Sequence, residues 1–465
     1  MSDSRSLLIK DASPSGGPVV YVMSRDQRAQ DNHALLTAQA RAIDQKVPLY
    51  VLFVLKRIPS RSREHYDFML SGLEEVATTL QSKNIPFILR SGESVAIITQ
   101  FVKDVQASAV VFDFSPLTHA RSTVKQVVKE VDARVEVIDT HNIIPAWVVS
   151  DKQEFAAHTM RRKVHKQLGA FLVAPDTLKK HPYDAALVDS VSFSDAKKSI
   201  QSLTANGIHI EFSPGEKAAH SQLETFLSER LEDYAVRRND IAQDYQSGLS
   251  PYLHYGHISS LRVALETMAK VDETPLLLYS PTLAQSGELP SATDGMNTLL
   301  EEMIVRKELA DNFCFYSKGY RSIKNAAAWA QTSLAQHADD PREFVYSKEQ
   351  WEACTTHDVV WNAAQLELNK TGKMHGYLRM YWAKKLLEWS ASPEEALRIA
   401  IYLNDKYSID GGDPNGYVGM LWSIAGLHDR SWFDRPVYGK VRYMNEGGLR
   451  RKYDVEQYIA RIKEL

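Results

Sequence analysis

Cysteine is nearly absent from this chain: two residues, Cys314 and Cys354, in 465. Both sit in apolar stretches of helical character, so buried thiols in a reducing compartment are expected over a disulfide, in the cytoplasm or, in a nucleated cell, the nucleus. Long hydrophobic runs are missing as well. The longest, residues 47–55, is broken by Pro48 and falls far short of the roughly 20 apolar residues that a membrane helix needs. The first 17 residues mix Asp3, Arg5, Lys10 and Asp11 with Ser, Pro and Gly, lack the continuous apolar core of a secretory signal, and are expected to form a disordered tail. No surplus of basic charge marks the whole chain as a nucleic-acid binder, because the net charge is −3. No GxGxxG follows any strand candidate, which leaves a Rossmann dinucleotide site unsupported. No internal repeat and no metal site are read.

What is present divides the chain in two. Residues 18–147 alternate β-rich runs (19–23, 49–55, 87–89, 110–114 and 135–138) with amphipathic helical segments (31–45, 66–81, 95–106 and 122–131). Five strands separated by helices predict a doubly wound, parallel five-stranded α/β domain. Ligands of such sheets bind beyond the carboxyl ends of the strands, so residues 23–26 and 113–116 are candidate cleft linings. Residues 148–214 are less regular, carry the cluster Arg161, Arg162, Lys163 and Lys166, and read as an interdomain connection wrapping the first domain. From residue 215 to 465 the periodicity is helical almost throughout, including 217–234, 257–269, 296–315, 377–389 and 394–403, with a Pro- and Ser-rich loop at 271–294. The architecture expected is an α/β domain followed by a larger all-helical domain.

Charge distribution is more informative than its sum. Between Arg430 and Lys452 seven basic residues face two acidic ones, Asp434 and Glu446. Alone, that is an ordinary solvated surface. Trp382 and Trp389 are seven residues apart, hence on one helix face and about 10.5 Å apart at roughly 1.5 Å rise per residue. Aromatic residues at helical spacing are usually core, and this pair reads that way unless other evidence intervenes.

The motifs supply such evidence. The run Leu249-Ser250-Pro251-Tyr252-Leu253-His254-Tyr255-Gly256-His257-Ile258-Ser259 resembles the LSPxLxxGxIS signature of the photolyase/cryptochrome superfamily. Thr371-Gly372-Lys373-Met374-His375-Gly376-Tyr377-Leu378-Arg379-Met380, followed by Asp410, resembles a second signature of that superfamily. Residues 302–315, the run Asp410-Gly411-Gly412-Asp413-Pro414-Asn415-Gly416-Tyr417, and 422–430 with 439–444 resemble the class II cyclobutane pyrimidine dimer (CPD) photolyases, and Met23-Ser24-Arg25-Asp26-Gln27-Arg28 fits the same class. The resemblance spans nearly the whole chain from residue 17.

It implies a light-driven repair enzyme for DNA carrying pyrimidine dimers, acting on flipped-out lesions in the duplex as a monomer; base flipping is how enzymes of this kind reach their target. It implies FAD, active as FADH⁻, in the helical domain, and allows a deazaflavin antenna between the domains. Cofactor contacts implied are Tyr234, Ser247, Gly248, Leu249, Ser250, Arg379, Asp410 and Asn404. Read alone, Ser250 is a helix N-cap and Asn404 a helix end, whereas an Arg379–Asp410 pair suits a buried anionic ring because a buried guanidinium needs a carboxylate. Trp382, Trp361 and Trp389 are implied as an electron relay in that order, with Tyr346 a possible terminus. Glu302 is implied at the lesion as a neutral acid that donates a hydrogen bond; its plain alternative is a charge near a helix start. Arg238, Asn239, Met380 and Trp422 fall on lesion-side positions. Arg306 stands where some relatives carry a wedge Trp. Lys440 and Arg442 are the expected phosphate contacts. The alternative class is a cryptochrome-like photoreceptor on the same fold, against which the retained Glu302, Trp422 and basic stretch weigh.

Overall fold

The computed structural model describes residues 2–272 and 291–465. Six strands form one sheet: β1 (Ser6–Lys10), β2 (Val19–Met23), β3 (Leu49–Leu55), β4 (Phe87–Ser91), β5 (Ala109–Asp113) and β6 (Arg134–Ile138), in the order β1-β6-β5-β2-β3-β4. The five strands legible in the sequence run parallel, Val19 pairing with both Leu49 and Ala109. Val19 to Met23 is buried throughout, as a central strand covered on both faces must be. Crossover helices His33–Gln45, Arg63–Ser82, Ser94–Asp104 and Thr118–Glu130 provide that cover.

The expected disordered tail is corrected. Residues 6–10 form β1, an antiparallel edge strand on β6, with Ser6 opposite Ile138. The anchor is Arg5, a buried guanidinium that donates to the carbonyls of Asp139 (3.1 Å), Asn142 (3.1 Å) and Ile143 (2.6 Å). A five-residue strand on a sheet edge has little periodicity to announce it, and its pairing partner lies some 130 positions away.

The open cleft expected at the strand ends is corrected too. The order reverses at β2 and β5, so their carboxyl ends form the switch point where ligands of such sheets bind. Here Asp113 fills it. Its carboxylate accepts from Tyr21 Oη (2.6 Å) and from the backbone N–H groups of Ser24 (2.7 Å), Arg25 (3.0 Å) and Asp26 (3.2 Å). The helical half then seals the position: Arg25 makes a bidentate pair with Asp311 at 2.6 and 2.9 Å. Gly256 closes the seam. At φ +71° it lets its helix end approach so near that a Cβ would lie 2.5 Å from the Arg25 carbonyl oxygen.

After residue 148 the chain carries helices Ala157–Phe171 and Phe193–Ile200 and touches both halves: Tyr50 Oη donates to the Ala186 carbonyl at 2.7 Å, and Arg161 grips Glu301 at 2.6 and 2.9 Å. The remainder is helical. The run expected at 217–234 is two helices, Glu216–Glu229 and Leu231–Arg237. The one expected at 296–315 is Ala292–Leu300 and Lys307–Tyr316, joined by a π-helical segment, Glu301–Arg306. Of the loop expected at 271–294, residues 273–290 lie outside the described residues. One apolar core crosses from sheet to helices, with Phe68 packed on Tyr255 and His257 at 5.3 and 5.4 Å between ring centres. Both cysteines are free thiols. Among the described residues no helix is long and apolar enough to cross a membrane.

Candidate functional site

A cavity of about 560 Å³ opens in the helical half, within the usual range for small-molecule and cofactor pockets. Leu299, Met303, Leu368, Trp382 and Met420 give it an apolar lining, while Lys307, Lys373 and Arg379 bring three cations. Tyr234, Ser247, Gly248, Leu249, Ser250, Glu302, Met380, Asn404, Asp410 and Trp422 line it as well, so most of the residues expected at the site meet in one place. Cations, hydroxyls and an apolar trough fit an anionic group with a flat aromatic body such as FAD. Gly248, at φ +70°, turns the chain so tightly that a Cβ there would meet Gln222 Nε2 at 2.6 Å. Gln222 in turn donates to the Ser247 carbonyl at 2.9 Å.

Arg379 organises one wall. From helix Gly376–Trp389 its guanidinium donates to Asn404 Oδ1 (3.0 Å), Ser408 Oγ (2.9 Å) and, more loosely, Asp410 Oδ1 (3.4 Å). The Ser408 hydroxyl completes the link to Asp410. Burial opposes ionisation of Asp410, yet Arg379, Lys373 and the hydroxyls of Ser408 and Ser250 together hold its carboxyl down to about 2. Ser250 is therefore no N-cap: Leu249 occupies that position of helix Ser250–Tyr255, and the Ser250 hydroxyl serves Asp410. Asn404 lies in the last turn of helix Pro393–Tyr407, where its carbonyl accepts from the capping Ser408 N–H, and it lines the cavity as well.

The opposite wall carries Glu302. Glu302 sits in the π segment, whose Lys307 N–H bonds back to the Glu302 carbonyl. Such wide turns often re-aim side chains at functional sites. Glu301 is buried against Arg161 and Arg306, whereas Glu302 lines the cavity, accepting from Tyr234 Oη at 2.8 Å and pairing closely with Arg238. With 38% of its side chain accessible, Glu302 is partly exposed, and both of its carboxylate oxygens are engaged by donors. Tyr234 thus serves Glu302. Asn239 follows at the end of the same helix, half-buried and outside the cavity lining.

From the cavity a file of indoles runs outward. Trp382 lies nearly parallel to Trp361, 8° between planes and 6.4 Å between ring centres. Trp382 Nε1 donates to Gln365 Oε1 (2.7 Å) and Trp361 Nε1 to the Trp382 carbonyl (3.1 Å), which fixes both rings. Trp351, not foreseen, stands next: 4.6 Å from Trp361 and 6.1 Å from Trp389. Tyr346 touches both Trp351 (5.2 Å) and Trp389 (6.1 Å). Trp351 belongs to a five-residue helix, Lys348–Glu352, too short for periodicity to reveal.

Along one rim the basic stretch becomes a folded surface. The backbone closes a loop through Trp432 N–H to the Lys440 carbonyl (2.9 Å) and a reciprocal pair between Arg435 and Gly439 (3.0 and 2.8 Å). Arg442 bridges rim and cavity, its guanidinium 4.9 Å from the Trp432 ring and 5.9 Å from that of Trp422. Arg430 covers Trp432 at 4.9 Å and Lys440 is exposed. Arg450 is neutralised by Glu446 and Glu456, so only part of the stretch offers free positive charge. Arg306 is 57% exposed, bonds Glu301 at 3.2 Å and is outside the cavity lining. Lys307, Lys373, Ser408 and His141 were also missed as site residues. Lys373 lies within a quoted motif and Ser408 two residues before Asp410; His141 carried no signal, because a domain contact brings it in.

Comparison with known proteins adds an independent line. The family model described as DNA photolyase matches residues 19–182. The deoxyribodipyrimidine photo-lyase of Potorous tridactylus is 44% identical over 448 residues, covering 95% of this chain and 81% of the relative. That of Methanothermobacter thermautotrophicus is 38% identical, covering 99% and 98%. Among solved structures, a class III photolyase from Agrobacterium tumefaciens superposes with a TM-score of 0.74 at 18% identity, over 98% of this chain and 87% of that one. A Sulfolobus tokodaii photolyase described with two FAD molecules superposes at 0.69 and 17%, over 96% and 89%. At those identities the structures speak for the fold alone.

Proposed function

The chain belongs to the DNA photolyase family, and from that premise we propose that it repairs cyclobutane pyrimidine dimers in duplex DNA with light, through a flavin held in the helical-domain cavity. The observation that carries the reading is the meeting, in one cavity, of the Arg379–Asp410 wall, the Glu302–Trp422 face and the innermost indole of an outward-running file. A flavin that works as an electron donor must stay reduced and anionic, so its pocket has to favour negative charge. Arg379 and Lys373 supply that field, and Asp410 fixes Arg379 in place. Ser247 to Ser250 and the cavity cations are the proposed holders of FAD. The chemistry the flavin supplies when bound is one electron, lent on excitation to the joined pyrimidines and recovered once their two linking bonds break.

The chain's own groups do the rest. Arg442, Lys440 and Arg430 contact phosphates along the rim, steering the duplex and setting its register without reading sequence. A covalently linked pair stacks poorly and costs less to extrude than normal bases, which gives selectivity. Trp422 and Met380 receive the extruded pair, and Arg306 and Asn239 approach its flanks. Glu302 holds Arg238 and the Tyr234 hydroxyl beside the cavity that it lines. With the lesion seated, Arg238 can donate to a pyrimidine carbonyl where negative charge arrives, as preorganised donors do at oxyanion sites. Trp382, Trp361, Trp351 and Trp389, with Tyr346 at the outer end, feed electrons to an oxidised flavin and take no part in splitting the dimer.

The cavity is complete within one chain, which supports action as a monomer. Two free thiols suit a reducing compartment. A deazaflavin antenna remains part of the proposal but not at the strand ends, which Asp113 and Asp311 fill. The test is direct: denature the purified protein, identify the released chromophores, and illuminate the reduced protein with dimer-bearing duplex. FAD release and light-dependent loss of dimers are expected; absence of either refutes the reading.

A further inference from the structure

Lys384 is a buried ammonium to which the mechanism above gives no task. It lies on helix Gly376–Trp389, two residues past Trp382, and is fully buried. Its Nζ makes one hydrogen bond, to the Ser423 carbonyl at 2.6 Å, and sits 5.1 Å from the centre of the Trp422 ring. Ser423 and Trp422 both line the cavity. Among the described residues no carboxylate comes within ion-pair distance of Lys384. An unpaired buried charge is costly, and an apolar side chain of similar length would avoid that cost.

We propose that Lys384 is a positioning residue of the lesion pocket, placing a positive charge behind the Trp422 ring so that the ring is held flat to the cavity and an electron arriving on the joined pyrimidines is stabilised. This rests on the repair reading above. The ring is a good spacer for the purpose: a cation against one face is attracted to it, and the indole excludes water from the space between ammonium and lesion. The electron count is unchanged, since Lys384 neither gives nor takes electrons.

The surroundings make the charge responsive to pH. Asp429 and Arg442 face Lys384 from the segment after Trp422, and Arg442 contacts the same ring at 5.9 Å. Tyr438 donates to the Lys384 carbonyl at 3.0 Å and to Glu388 at 3.0 Å, while Lys385, next on the helix, pairs with Glu388 and leaves that carboxylate committed. Burial, aided by Arg442 and opposed by Asp429, brings the Lys384 ammonium down to about 7. A lysine depressed in this way destabilises the fold increasingly as pH falls below its ordinary value of 10.5, and the penalty is complete once pH is below about 7.

The experiment compares the parent with Lys384→Met, both flavin-loaded and fully reduced, on saturating dimer-bearing duplex from about pH 6 to 9. Dimers split per absorbed photon are measured beside thermal stability and affinity for damaged DNA by fluorescence anisotropy. In the parent the yield should fall several-fold as pH rises through about 7. In Lys384→Met it should be low and flat, with a higher melting temperature than the parent at the acid end. A merely structural lysine would instead lower stability when replaced and leave the yield unchanged. An equal yield in both proteins at the acid end, or a flat parent profile, overturns the proposal. If Lys384→Met does not fold, Lys384→Arg, which keeps its charge across this range, takes its place: its yield should stay at the parent's acid-end value as pH rises, and a fall like the parent's overturns the proposal. A parent that splits no dimers at any pH would sink the repair reading instead, a separate and visible outcome.

Discussion

Arg379→Met removes the guanidinium and keeps most of its apolar stem. In the parent, Asp410 is held from 3.8 down to about 2, a difference worth about 2 kcal/mol of stability at neutral pH. The sign follows from the direction of the shift: a depressed carboxylate contributes stability that is present above its unfolded pKa and is lost as pH falls through its folded one. In the variant, burial becomes the dominant influence on Asp410, and Lys373, Ser408 and Ser250 offset only part of it. The carboxyl then rises past its ordinary value, and the sign inverts: stability is present below the unfolded pKa and lost as pH increases through the folded one. Removing one partner of a buried pair costs about 3 kcal/mol or more. Flavin affinity should fall as well, because the cavity loses a cation from its lining. Flavin retention after gel filtration and melting of the flavin-free protein between about pH 4 and 8 measure both effects. If Arg379→Met retains its flavin and its stability varies with pH as the parent's does, the Arg379–Asp410 wall is not what holds the cofactor.

Trp361→Phe should abolish photoreduction of oxidised flavin and Trp351→Phe should slow it, while chemically reduced protein repairs as the parent does; unchanged photoreduction rates would make the file core packing only. Arg442→Ala should weaken binding to damaged and undamaged duplex alike and reduce the slope of log affinity against log salt by about one. A loss confined to damaged DNA would move Arg442 from phosphate to lesion. Glu302→Gln frees Arg238 and removes a negative charge from the pocket, so affinity for any duplex should rise modestly while dimers split per photon fall, and fall further in Glu302→Ala. Equal yields in all three proteins would make the Glu302–Arg238 pair a surface contact.

The sequence by itself determined the elements whose evidence is local. Five β-rich runs alternating with amphipathic segments specify a parallel sheet with helices on both faces, because side-chain period and crossover length leave few other arrangements. The family resemblance implied that Arg379, Asp410, Ser250 and Trp382 share one site, and all four line the cavity. What only the tertiary structure decided depends on groups far apart in the chain. β1 exists because Arg5 finds three carbonyls around residue 140. The cleft at the strand ends is closed because Arg25 meets Asp311. Glu302 meets Arg238 from another helix, a contact that its apolar sequence neighbours do not announce. Trp351 joins the indole file and Lys384 comes to rest behind Trp422 by packing alone. Local pattern fixes which residues can share a face, but charge state and contact order depend on what desolvates and neutralises each group, and those partners are supplied only when distant helices close on one another.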